Sequence, residues 1–77
     1  MTSPSNLEEL RNIMLDLFPD SEIPENILEL KINDLPDWDS VGNFNLLLEV
    51  EERFGTRFPL DQFANINSVR NILEHLE

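Results

Sequence analysis

Cysteine is absent from the 77 residues, so no disulfide can staple the fold and no thiolate can hold a metal or act as a nucleophile. Histidine occurs once, at His75, and one remote imidazole makes neither a catalytic dyad nor a metal site; its place near the end of the last helix suits the helix dipole. No apolar run approaches the roughly 20 residues that span a bilayer, and the N-terminus lacks the basic-then-apolar pattern of a secretory signal. A soluble, cytoplasmic protein is therefore expected. Basic residues are scarce as well. Five Lys and Arg face 16 Asp and Glu, for a net charge of −11. So few cations cannot neutralise many phosphates, which argues against nucleic acid and membrane as partners. The same charge favours partners with basic surfaces, drawn in by long-range attraction. No set of residues supplies nucleophile, base and oxyanion site together, so an enzyme is not expected.

Linkers, internal repeats and low-complexity stretches are also missing, and residues 1–77 read as a single domain. A chain this short buries only about 60% of its unfolded surface and needs an efficient core. The 40% hydrophobic content, well patterned, favours a folded domain over an acidic disordered chain. Ser5-Asn6-Leu7-Glu8 reads as a capping box opening a helix. Leu7, Leu10, Ile13, Met14, Leu17 and Phe18 follow at helical spacing, and Pro19 ends the helix. Residues 19–39 read as a packed loop with one helical turn at Pro24 to Leu30. A strong helical stretch runs from Val41 to Phe54, stopped by Gly55. Pro59 opens a short helix through Phe63 or Ala64. Asn67 or Ser68 caps a last helix carrying Val69, Ile72, Leu73 and Leu76. The expected fold is all-α, a small four-helix bundle of three main helices and one short helix, with a long loop between the first two. Leu76-Glu77 reads equally as a cloning scar and carries no weight.

The helix after Asp39-Ser40 is the most informative. At about 100° per residue, Leu46, Leu47, Val50 and Phe54 form a core stripe. Val41, Phe44 and Leu48 form a second stripe, bordered by Glu51 and Glu52. One apolar stripe suffices to join a small core, so the second either packs under the long loop or is an exposed recognition surface ringed by carboxylates, and both hold if Phe44 or Leu48 lies half-buried at the mouth of a small cavity. The plain reading of Ser40 is an N-cap. The same place suits covalent phosphate, because free backbone N–H groups and the helix dipole stabilise an anion there. Trp38, the only tryptophan, either packs the loop or anchors a partner. Gly42 is tolerated in the first turn or admits a close approach by an arm or partner. Phe18, Phe54, Phe58 and Phe63 read as core, and Glu49, Glu51 and Glu52 as a solvated acidic face rather than a calcium site.

Asp39-Ser40-Val41, then Leu46 through Gly55, Phe58-Pro59-Leu60-Asp61 and Ile66-Asn67-Ser68-Val69 resemble the acyl and peptidyl carrier protein family in order and spacing. The likeness runs without gaps from Leu35 to Leu73. It implies that Ser40 receives 4′-phosphopantetheine from coenzyme A through a separate phosphopantetheinyl transferase, with Asp39 as the flanking motif residue. It implies further that an acyl or aminoacyl group rides on the arm as a thioester. The partners implied are that transferase, a loading ligase and downstream transferases, docking on Val41, Phe44, Leu48, Glu51, Glu52 and Trp38 of a monomeric carrier. Two departures stand out. Pro36-Asp37-Trp38 stands where peptidyl carriers usually have two glycines and fatty-acid carriers Gly-Ala or similar, and Gly42, Asn43 and Asn45 leave the early recognition helix without the acids usual in fatty-acid carriers. Both point away from primary fatty-acid synthesis and toward freestanding carriers of dedicated pathways. The competing expectation is an unmodified helical interaction module that uses Val41, Phe44 and Leu48 and keeps Ser40 as a cap.

Overall fold

The computed structural model describes residues 4–76, without the side chains of the first two of these. It is all-α: α1 spans Pro4–Leu17, α2 Ser40–Phe54 and α3 Val69–Leu76. The expected fourth helix is a single 3₁₀ turn, Leu60–Gln62. Pro59 does open it, accepting a bond from Gln62 N at 2.9 Å. Leu60, Asp61 and Gln62 are all exposed, so no apolar face in that turn rewards further winding.

In α1, Leu10, Ile13 and Met14 are wholly buried, and the 3.6-residue period aims them at one seam. Phe18 N still donates to Met14 O at 2.8 Å before Pro19 stops the winding. The helix already includes Pro4 and Ser5, so it starts ahead of the expected capping box, and the Ser5 side chain lies outside the described part. Glu77 lies outside it too. α2 faces α1 with Leu46, Leu47 and Val50, each fully buried. It ends where Gly55 takes φ 63°, the left-handed conformation that glycine adopts without steric cost. α3 contributes Val69, Ile72 and Leu73. Of its two candidate caps Ser68 is the one used, its Oγ accepting from Asn71 N at 3.1 Å. Ionic contacts add to the α1–α2 seam at the surface, where Arg53 reaches Glu49, Asp16 and Glu9. These bonds, that to Glu49 foremost, raise the affinity of the guanidinium for its proton.

The connection from Phe18 to Asp39 holds no helical turn at 24–30, only hydrogen-bonded turns such as Leu30 N to Ile27 O at 2.9 Å. It is nonetheless a built layer of the core. Ile27, Leu35 and Trp38 are buried in it. Arg11 of α1 holds its first half by donating to Pro24 O and Ile23 O. Its second half forms a one-residue antiparallel bridge, Lys31 with Ser68, in which Ile32 N donates to Asn67 O and Val69 N to Leu30 O. No helix among the described residues is long and apolar enough to cross a membrane.

Candidate functional site

The start of α2 is shaped by the residue before Ser40. Asp39 lies in extended backbone, and its Oδ1 accepts from Gly42 N at 2.8 Å. The N-cap is therefore Asp39, not Ser40 as the plain reading had it. Both residue types cap well, and the extended backbone at position 39 gives the role to the aspartate. With that role filled, Ser40 becomes the first helical residue and its side chain is exposed. No hydrogen bond ties its hydroxyl to any described residue, and the Ser40 and Val41 N–H groups remain open donors at the helix end.

Gly42 is held by the chain itself. A Cβ there would stand 2.2 Å from the Asp37 carbonyl oxygen and 3.3 Å from Phe18 Cε1. The close approach foreseen at this position is thus made by the loop and not by an arm or partner. Ser21 fastens the loop at the same point, its Oγ donating to Asp37 Oδ2 at 3.1 Å and accepting from Asp37 N at 3.3 Å. The turn that presents Ser40 is set between this fastening and the cap.

Val41 is 70% exposed and faces solvent, while Phe44 and Leu48, 46 and 43% exposed, are half-covered, Phe44 at the mouth of a cleft that Ile32 of the long loop also lines, so the two readings of the second stripe coexist. The Phe44 ring lies 5.2 Å from that of Phe63, so the apolar surface continues off the helix. Leu60, 78% exposed and three residues before Phe63 around the 3₁₀ turn, extends it further. Sequence reading placed Leu60 only within the Phe58-Pro59-Leu60-Asp61 motif and gave it no surface role. Glu52 is exposed at the border as expected. Glu51 is not a free rim carboxylate: it is partly buried, and its Oε2 accepts from Phe58 N at 2.7 Å, tying down the chain after Gly55. Trp38 is corrected too. It is wholly buried and stacks near Phe18 with centroids 6.3 Å apart, so it offers no surface to a partner. Of the four phenylalanines assigned to the core, Phe18 and Phe58 are buried, while Phe54 and Phe63 are only partly covered. His75 closes over Phe58, centroids 4.3 Å apart, and its Nε2 lies 2.8 Å from Arg57 O, a structural contact.

Asn43, read from the sequence only as a non-acidic position of the early recognition helix, has a core role. It is the one buried polar side chain among the described residues, and every polar atom of its carboxamide is engaged. Its oxygen accepts from Trp38 Nε1 at 3.0 Å, and its nitrogen donates to Ile66 O at 3.0 Å and Phe63 O at 3.4 Å. A signal was present. Position 43 falls three, four and seven residues before Leu46, Leu47 and Val50, so an amide occupies the core stripe. A polar group there needs partners from other elements.

A cleft of about 280 Å³ opens between α2 and the segment after the 3₁₀ turn, lined by Ile32, Ser40, Asn43, Phe44, Phe63 and Ala64. On the other flank of the helix end lies a more polar hollow that includes Asp20, Asp37, Asp39 and Val41. The arrangement presents a free hydroxyl, open N–H donors, an apolar surface with carboxylates at its edge, and a sheltered space beside them. Comparison with family models, curated proteins and solved structures finds no match to this chain.

Proposed function

We propose that the protein is an acyl carrier that holds its cargo as a thioester on 4′-phosphopantetheine attached to Ser40, and that it works as a cytoplasmic monomer in a specialised biosynthetic pathway. One observation carries this reading. Asp39 has taken over the capping role, so Ser40 stands exposed at the head of α2 with no internal duty. The open N–H groups beside it suit a phosphodiester, since helix starts favour anions.

The attachment chemistry asks little of the carrier. The Ser40 oxygen bonds to the phosphorus of coenzyme A nearest the pantetheine, the pyrophosphate P–O bond breaks, and adenosine 3′,5′-bisphosphate leaves. The hydroxyl proton passes to a base belonging to the transferase. The arm supplies a thiol for thioester exchange, and tethering raises the cargo's effective concentration at a docked enzyme. Val41, Phe44 and Leu48, with Leu60 and the carboxylate of Glu52, form the face on which transferase, ligase and acceptor enzymes dock.

The test is intact mass after incubation with coenzyme A, magnesium and a broad-specificity phosphopantetheinyl transferase. One added arm is expected, and none in Ser40→Ala. The same exposed face also supports an unmodified interaction module. An unchanged mass, with the transferase active on a control carrier, would leave that module as the reading.

A further inference from the structure

The cleft beside Ser40 has a fixed inner wall. Asn43 lines it on one side and bonds Trp38 and Ile66 of the core on the other. A carboxamide offers two N–H donors and one acceptor oxygen, and here both the nitrogen and the oxygen are committed. Swinging the side chain aside would strand a buried indole N–H and two backbone carbonyls at once, a heavy loss for groups inside the core. The remaining walls, Ile32, Phe44, Phe63 and Ala64, bring no charge and no side-chain hydrogen-bonding group.

We propose that Asn43 is the specificity-determining residue of this cleft: it closes the inner end, so the cargo that seats there is a short, apolar acyl group. A longer chain meets the Asn43 carboxamide and stays outside the core. A charged aminoacyl group finds no counter-charge among the lining residues. The assignment of the occupant as cargo rests on Ser40 being the attachment point; the barrier itself does not.

The absence of cysteine allows a direct test. In Ser40→Cys the new thiol is unique. Linear alkyl methanethiosulfonates from ethyl to dodecyl then each leave one chain at position 40: the thiolate sulfur bonds to the alkylthio sulfur and methanesulfinate departs. The melting temperature is expected to rise with chain length and level off before dodecyl. Nuclear Overhauser contacts from the terminal methyl to the Phe44 and Phe63 rings should appear for short chains and vanish for dodecyl. In Asn43→Ala, compared with its own unmodified form, the plateau should move to longer chains. If that variant does not fold, the series on the Asn43 background decides alone. A dodecyl methyl in contact with Trp38 or Leu47, a melting temperature still rising at dodecyl, or a series with no contact to Phe44 or Phe63 would each overturn Asn43 as the barrier. Failure of Ser40 to accept an arm from coenzyme A would instead overturn the carrier reading, and with it the identity of the occupant as cargo.

Discussion

A methyl group at position 42 would lie 2.2 Å from a backbone oxygen of Asp37, an atom that cannot swing aside like the tip of a side chain. Helix propensity alone favours alanine over glycine by up to about 1 kcal/mol. Sterics reverse the sign here. Gly42→Ala is expected to lower stability in urea unfolding by about 1–3 kcal/mol, since either the loop or the first turn of α2 must give way. A stabilised variant would show that the contact between loop and helix is loose. Asn43 illustrates the same lesson from the polar side. Its worth lies in satisfying Trp38, Phe63 and Ile66 together, and no pairwise view of the sequence brings those three to one point.

At the level of elements, α2 has two apolar faces with opposite duties. Leu46→Ala should cost about 2–5 kcal/mol, as a fully buried leucine in a close-packed core does. Leu48→Glu and Phe44→Glu should leave the melting temperature and far-ultraviolet circular dichroism close to those of the parent while weakening docking of the transferase. A collapse of helical signal in either would return those side chains to the core. The helices were legible because each carries its signal locally: the period of Leu10, Ile13 and Met14, the stop at Gly55, the cap at Ser68. The cap of α2 was read one residue late. Aspartate and serine both suit an N-cap, and only the backbone conformation at Asp39 separates them. The 18–39 layer was illegible in detail because its partners lie far along the chain, at Arg11 in one direction and Asn67 in the other. The exposed stripe was foreseen in its membership. Its extension to Leu60 and Phe63 was not, because it depends on how the 3₁₀ turn folds back toward Phe44.

For the molecule as a whole, acidity is the dominant long-range property. Three of the five cations, Arg11, Arg53 and Arg70, are engaged by the protein's own carbonyls or carboxylates, Arg70 pairing with Glu29. Pairing leaves the net charge at −11, so the long-range field offered to a partner stays strongly negative. Association with a basic docking enzyme should slow steeply as ionic strength rises, whereas dissociation should change little. Stopped-flow measurement of both rates across a salt series checks this. A salt-independent association rate would mean that the apolar face alone finds the partner.

Trp38 is the sole tryptophan, tyrosine is absent, and the indole is shielded from solvent with its N–H on the Asn43 oxygen. All red-edge fluorescence of this protein consequently comes from one ring, a single hydrogen bond away from the wall of the Ser40 cleft. An occupant that pushes on Asn43 must perturb that ring's immediate dipole environment, so the emission band is a label-free optical gauge of whether the cleft is filled.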